Sequence, residues 1–174
     1  MKKLLSTLAI LSVSFGLSTA EDHNAKNPAP PMGGSAFDPG FELSGYIAGS
    51  LPSGGEDELG GGIGVAYFFT ENIGADFNWA GFAYDDAMSL WTADLALRIP
   101  VRSNTLAPYF IGGGGWVSGM GTDTTGGLWR IGGGLDFRPD ALGNIGIFAD
   151  GTYNWLSGSY PDITVIRVGF RLPF

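Results

Sequence analysis

The chain has 174 residues, of which 44% are hydrophobic and 15% are charged, so its composition is that of a single folded domain and not of a disordered tail. The formal charge of −8 argues against a nucleic-acid partner, which would require a basic surface. The lack of cysteine excludes a disulfide scaffold, a thiolate metal site, a thiol nucleophile and a lipid-modified cysteine.

The first twenty residues have the pattern of a secretory signal peptide. Two lysines form a positive head, a mostly apolar run follows as far as Leu17, and small residues end the segment at Ala20. A run of about 14 apolar residues is too short to cross about 30 Å of hydrocarbon as a helix. We therefore predict a signal peptide over 1–20, cleaved after Ala20, a loose periplasmic N-terminal segment over 21–40, and one folded domain over 41–174.

From residue 41 onward, apolar and polar residues alternate, which is the pattern of strands with two different faces. Most of these segments have 9 to 13 residues, more than the five or six usual in soluble sheets. A tilted strand needs about 9–11 residues to cross a bilayer. The predicted strands are Phe41–Leu51, Leu59–Phe69, Ile73–Phe82, Ser89–Val101, Leu106–Val117, Leu128–Phe137, Ile145–Leu156 and Ile163–Phe174.

Sorting each strand by odd and even positions separates an apolar face from a charged one. In a soluble sandwich or lipocalin-like barrel the apolar face would be the core, whereas in an outer-membrane barrel it would meet lipid while the charges point into the lumen. All strand charges fall on the second face, and they are Glu42, Asp76, Asp94, Arg98, Arg130, Asp136, Asp150, Arg167 and Arg171.

The aromatic residues of the apolar face favour the membrane alternative. Those assigned to one end of the strands are Trp79, Trp91, Trp129 and Trp155, and those assigned to the other end include Tyr67, Tyr109 and Phe137. Two aromatic girdles at opposite interfaces are typical of a bilayer-spanning barrel. Trp116 falls on the opposite parity, which we interpret as the sign of a bulge. The pattern thus predicts an all-β fold, an eight-stranded antiparallel up-and-down transmembrane β-barrel.

Three segments of the sequence carry a family resemblance, namely GVAYFFTENIGADFNW from Gly64, LAPYFIGGGGW from Leu106, and the closing RVGFRLPF from Arg167. They resemble the small outer-membrane β-barrel family, the OmpA/OmpX-type eight-stranded domains. The resemblance implies an outer-membrane location, contact with outer-membrane lipid and lipopolysaccharide, and a C-terminal signal for the assembly machinery. The residues that would form this signal are Phe170, Leu172 and Phe174.

No residue pattern predicts catalysis, and we expect no cofactor and no metal. The glycine runs complete neither nucleotide-binding fingerprint. The only histidine, His23, precedes the barrel, whereas the outer-membrane barrel enzymes resemble one another in using a histidine base. Acidic residues crowd the predicted outward loops, where we expect a solvated rim, with weak divalent-cation bridging to lipopolysaccharide phosphates as the alternative.

The charges of the second face leave two alternatives for the lumen. Five acids and four arginines suit an ion-pair network that closes an eight-stranded barrel, whereas a selective channel would favour one sign. We therefore expect a non-enzymatic protein with a charge-plugged lumen that contributes to envelope structure or surface contact. A small-solute channel, and an adhesion or binding barrel acting through its loops, remain the alternatives. The oligomeric state is open, with a monomer favoured.

Overall fold

The computed structural model describes residues 36–54, 56–84, 87–101, 105–119, 122–143, 145–158 and 160–174. The predicted signal peptide and His23 lie outside these ranges. The described residues form eight strands, namely β1 (Gly40–Pro52), β2 (Glu58–Phe68), β3 (Ile73–Phe82), β4 (Met88–Arg98), β5 (Leu106–Gly119), β6 (Thr122–Phe137), β7 (Gly146–Leu156) and β8 (Ile163–Pro173). A 3₁₀ turn, Asp140–Leu142, lies between β6 and β7. No helix in this part of the chain is long and apolar enough to cross a membrane.

The strands form a closed antiparallel barrel in chain order. Strand β8 pairs with β1 along its whole length, from Pro173 opposite Glu42 to Ile163 opposite Pro52. This ladder leaves neither strand with an unpaired edge, so the backbone hydrogen bonds are satisfied within the sheet. The predicted fold class is confirmed.

Both termini of the barrel lie at the same end. The Phe174 amide donates to the Phe41 carbonyl at 3.0 Å, and the connections after β2, β4 and β6 return the chain to this end. We call it the terminal end, and the opposite one the loop end. The turn between β2 and β3 is fixed by Thr70 Oγ1, which accepts from the amides of Asn72 and Ile73 at 3.2 and 3.0 Å.

Strand β6 begins six residues earlier than predicted, at Thr122 and not at Leu128. The outward loop predicted between the fifth and sixth strands, residues 118–127, is therefore wrong over most of its length. Its Gly, Ser and Thr residues have the composition of a loop, but their backbone pairs with β5, with a register shift between Val117 and Gly119.

Side chains alternate between the interior and the outer wall on every strand, and on β5 the alternation is opposite to the predicted one. Tyr109 and Ile111 are 2% exposed, whereas Phe110 and Trp116 are 58% and 51% exposed. Assigning Tyr109 to the outer wall was therefore wrong. A bulge does not explain Trp116, because the β5–β6 register is regular as far as Val117. The strand has no charge, and four consecutive glycines erase the alternation, so its sequence does not show which face is inside.

The interior at the loop end is apolar. Inward side chains from several strands form one buried cluster there, which includes Phe82, Met88, Leu90, Val117, Leu128, Ile163 and Val165. Tyr160 reaches over this cluster from the β7–β8 connection, and its hydroxyl donates to the Gly119 carbonyl at 3.1 Å. We call this group the apolar layer. The sequence analysis did not predict it.

Candidate functional site in the barrel interior

Charged side chains occupy the middle of the interior and its terminal end. Each of the nine charged residues assigned to the inner face is at most 6% exposed, and Arg138, which lies just past the end of the sixth predicted strand, is 1% exposed. With Arg138 the interior holds five carboxylates and five guanidinium groups, so its formal charge is zero. This neutrality is favourable, because an uncompensated buried charge carries a large desolvation cost.

Five of these residues meet at the terminal end and form what we call the terminal cluster, made of Glu42, Arg98, Asp136, Arg138 and Arg171. Glu42 Oε1 accepts from Arg98 Nη1 at 2.8 Å and from Arg138 Nη2 at 2.7 Å. Asp136 Oδ2 accepts from Arg138 Nη2 and from Arg171 Nη1, both at 3.0 Å. Strands β1, β4, β6 and β8 are thereby joined across the lumen.

Arg138 is the member of the cluster that the sequence analysis missed. It follows the last residue of β6 and precedes a proline, which is typical of a turn, yet it continues the inward series of Arg130 and Asp136 by parity. Burial alone would lower the pKa of Arg138, but the hydrogen bond and charge of Asp136, with the charge of Glu42, raise that pKa above its ordinary value. Extending the alternation two residues past Asp136 would have found it.

The chain itself covers the terminal cluster with the residues just before β1. Phe37 is fully buried, with its ring 4.8 Å from the Arg98 guanidinium and 4.6 Å from that of Arg138. The Phe37 carbonyl accepts from Arg98 Nη2 at 3.1 Å, and the Ala36 carbonyl accepts from Arg138 Nη1 at 2.7 Å. Ala36 and Phe37, which the sequence analysis placed in a loose segment, are thus held inside the barrel mouth by two arginines.

Two further ion pairs lie in the middle of the barrel. Arg130 Nε donates to Asp94 Oδ1 at 2.8 Å, and its Nη2 donates to Asp94 Oδ2. Arg167 makes two parallel bonds of 2.8 Å to the Asp150 carboxylate. Asp150 also accepts from the Tyr109 hydroxyl, which explains why Tyr109 points inward. Bidentate arginine–carboxylate pairs of this kind are among the stronger hydrogen-bonded contacts in proteins.

Aromatic rings lie close to the guanidinium groups of Arg171 and Arg167. The Arg171 guanidinium lies 4.6 Å from the ring centres of both Tyr109 and Phe148. The Arg167 guanidinium lies 5.0 Å from the Tyr46 ring. Stacking on aromatic faces stabilises desolvated cations. Inward glycines make room for these rings, since a Cβ at Gly62 would lie 2.6 Å from Tyr46 Oη.

Asp76 is the exception to this pairing. It is 5% exposed, and in the described part of the chain it makes no ion pair. Its cross-strand neighbour is another acid, Asp94, which is already neutralised by Arg130. The terminal cluster contains three arginines and two carboxylates. Its one excess positive charge balances the negative charge of Asp76 in the total charge of the interior.

The outer wall carries most of the residues predicted for the aromatic girdles. Tyr67 and Phe137 are exposed at the terminal end, and Trp91, Trp129 and Trp155 are exposed at the loop end, whereas Trp79 is half-buried. Trp91 lies between Trp79, at 6.2 Å, and Trp116, at 6.1 Å. Trp116 therefore belongs to this row, in addition to the four tryptophans predicted.

The residues of the predicted assembly signal lie on the same outer wall. Phe170 and Phe174 are exposed and Leu172 is half-buried. Phe174 also stacks on Phe41, with ring centres 5.9 Å apart, so it closes the row of aromatic residues at the terminal end.

Comparisons with known proteins identify the fold. No family model matches the sequence, and no curated protein matches it. Neisserial surface protein A, NspA, superposes with a TM-score of 0.61 at 13% identity, over 77% of this chain and 96% of that one. The outer membrane protein OprG from Pseudomonas aeruginosa gives 0.59 at 12% identity, over 80% and 98%. The outer membrane enzyme PagL gives 0.53 at 12% identity, over 76% and 99%.

The chain has the fold of the small outer-membrane β-barrels. The resemblance stated from the sequence is confirmed at the level of fold. Because the identities are low, the shared feature is the closed eight-stranded architecture.

Proposed function

We propose that this protein is an integral outer-membrane β-barrel without enzymatic activity, with its termini in the periplasm, whose lumen is closed by its own side chains and which contributes to envelope structure or surface contact. The observation that carries the proposal is the filling of the interior. A set of five carboxylates and five guanidinium groups, neutral in formal charge, occupies the middle and the terminal end, and the apolar layer occupies the loop end. Hydrophobic constrictions exclude water, and paired charges hold bulky side chains across the lumen.

The outer wall supports the membrane location and the proposed partners. Large apolar side chains such as Ile47, Leu95 and Phe170 are 70%, 69% and 57% exposed, which suits contact with acyl chains and not with water. We propose outer-membrane lipid and lipopolysaccharide as the surroundings of this wall, and the outer-membrane assembly machinery as the factor that inserts it. The connections at the loop end are short, with only residues 120–121 between β5 and β6, which favours an envelope role over adhesion through loops.

The fold does not distinguish an enzyme from a non-enzymatic barrel, since the enzyme PagL shares it. The residues of this chain support a role without catalysis. The single histidine, His23, precedes the first strand in the sequence, so no strand carries an imidazole that could act as a general base. The described residues contain no group of three or more metal-ligand side chains.

Planar-bilayer conductance tests the closed lumen. We expect the folded protein to show no steady current, and Arg130→Ala to show a new or larger one, because the substitution removes a blocking group. The same variant leaves Asp94 without its partner, and we expect it to lower the free energy of unfolding by about 3–5 kcal/mol. The double variant Asp94→Ala/Arg130→Ala is the control, and it should lose less stability than Arg130→Ala alone. Large, voltage-independent currents through the unmodified protein would make a small-solute channel the better proposal.

A further inference from the structure

Four polar side chains form a patch on the inner face of β3 and β4. Asp76 lies opposite Asp94, and Asn78 lies opposite Thr92, in adjacent positions of the same ladder. Directly opposed side chains in an antiparallel pair lie about 4.5–5.5 Å apart at Cβ. All four residues are at least nine-tenths buried. Asp94 is satisfied by Arg130, so the patch contains one carboxylate, that of Asp76, without an ion pair among the described residues.

Two further polar atoms of the patch lack a partner. Asn78 Oδ1 accepts from Arg167 Nη1 at 3.0 Å, so the opposite end of the amide, Nδ2, is a hydrogen-bond donor of fixed position. Neither Asn78 Nδ2 nor Thr92 Oγ1 has a hydrogen-bond partner in the described part of the chain. Buried polar groups left unsatisfied are costly, and in native proteins they are usually satisfied by protein atoms or by ordered water.

The neighbouring strands carry only small residues beside this patch. On β2 the residues opposite Asn78 and Asp76 are Gly64 and Ala66. On β5 the residues opposite Asp94 and Thr92 are glycines, Gly113 and Gly115. No large side chain from either flanking strand therefore covers the patch.

We propose that this patch binds ordered water, which bridges the Asp76 carboxylate, Asn78 Nδ2 and Thr92 Oγ1. The chemistry of the three groups selects this ligand. A metal cation is disfavoured by the N–H donors of Asn78, and an anion is disfavoured by two adjacent carboxylates. Water donates to Asp76 and accepts from Asn78, and a buried water typically has two to four such partners.

Both ends of the barrel isolate the site. The terminal cluster, with Phe37 over it, lies on one side, and the apolar layer lies on the other. Water at the patch can leave only past one of these barriers, so we expect it to exchange slowly with bulk solvent. This expectation distinguishes a bound water from the mobile water column of an open channel.

Water–protein cross-relaxation measured by NMR on the folded protein in micelles tests the proposal. We expect cross-peaks between water and the Asn78 side-chain amide protons, with the sign of a water whose residence time exceeds the tumbling time. The absence of these cross-peaks, or the sign of rapidly exchanging water, would overturn the proposal. Because this measurement uses the unmodified protein, it does not depend on whether a variant folds.

A matched pair of variants gives a second test. Thr92→Val and Thr152→Val make the same change at two buried positions, but the Thr152 hydroxyl already accepts from Asn154 Nδ2 at 3.2 Å. If water is bound at Thr92, both variants should lower the urea concentration at the unfolding midpoint. If no water is bound, Thr92→Val removes an unsatisfied group, and its midpoint should stay unchanged or rise. That result would contradict the proposal.

Discussion

Tyr109 shows how one residue decides which face of a strand is inside. Its hydroxyl donates to the Asp150 carboxylate in the middle of the barrel, and hydrogen bonds to charged groups contribute about 1.5–3 kcal/mol. We therefore expect Tyr109→Phe to lower the free energy of unfolding by about this amount, measured by urea titration in lipid vesicles. Tyr67→Phe is the matched control, since Tyr67 faces outward and should lose little. If Tyr109→Phe is as stable as the unmodified protein, the inward assignment of Tyr109 is wrong and the outer-wall assignment is the better one.

The residue scale also shows where the sequence was informative. Charges identify the inner face, because a charged side chain on the lipid-facing wall is costly, and so Asp94 and Arg130 could be placed by parity alone. Their pairing could not, because it depends on which strands face each other across the lumen and on their stagger. The inward position of Arg138 was not predicted in this way, because a residue next to a proline has the pattern of a turn. The burial of Phe37 could not be predicted, because a single aromatic residue outside a periodic pattern does not indicate which way its side chain points.

Ala36 and Phe37 form the element that closes the terminal end of the barrel. Replacing Phe37 by alanine removes a fully buried ring from between two guanidinium groups. We expect a loss of about 3–5 kcal/mol in the free energy of unfolding, and a rise in planar-bilayer current if this end limits conduction. Phe41→Ala is the control, since Phe41 lies at the same end but faces outward. A fall in stability equal to that of the control would show that Phe37 does not seal the mouth.

Strand β4 provides the sharpest test of which wall meets lipid. Leu95 is 69% exposed near the middle of the strand, where an arginine should lie close to the bilayer midplane. We expect Leu95→Arg to destabilise the barrel in vesicles by about 2–4 kcal/mol, and Leu59→Arg, near the loop end, by about 0–1 kcal/mol. The measurement is the fraction folded in vesicles as a function of urea. If Leu95→Arg folds as well as the unmodified protein, the assignment of the two faces is wrong.

The elements of the barrel were predictable to different degrees. Strands with charges on one face and branched or aromatic residues on the other, such as β4 and β8, show their existence and their orientation in the sequence. Strands β5 and β6 were harder to predict. The orientation of β5 is obscured because Gly112 to Gly115 carry no side chain, and the start of β6 is obscured because Thr122 to Gly127 have the composition of a turn. There the backbone pairing of a long hairpin overrides local composition.

Assembly of the whole molecule is a property separate from its stability. We expect deletion of Phe174 to lower the amount of assembled protein in cells far more than it lowers refolding in detergent, because the assembly machinery would lose its signal while the barrel loses one exposed ring. Phe69→Ala removes an aromatic side chain that is also exposed at the terminal end, and it should change both measurements by similar amounts. Equal losses for the Phe174 deletion in cells and in detergent would leave that residue only a packing role.

The burial of the arginines limits where a protease can cleave the folded barrel. Between residues 36 and 174 the chain has six arginines and no lysine, and five of the arginines point into the lumen. Only Arg102, which lies outside the described residues, is not among them. Trypsin cuts after lysine and arginine but not before proline, and Arg138 precedes Pro139. The folded barrel therefore hides four of the five tryptic sites in this region, while the unfolded chain presents all of them. A tryptic digest in vesicles would therefore count folded molecules directly, and a variant that opens the interior would show which arginine became accessible first.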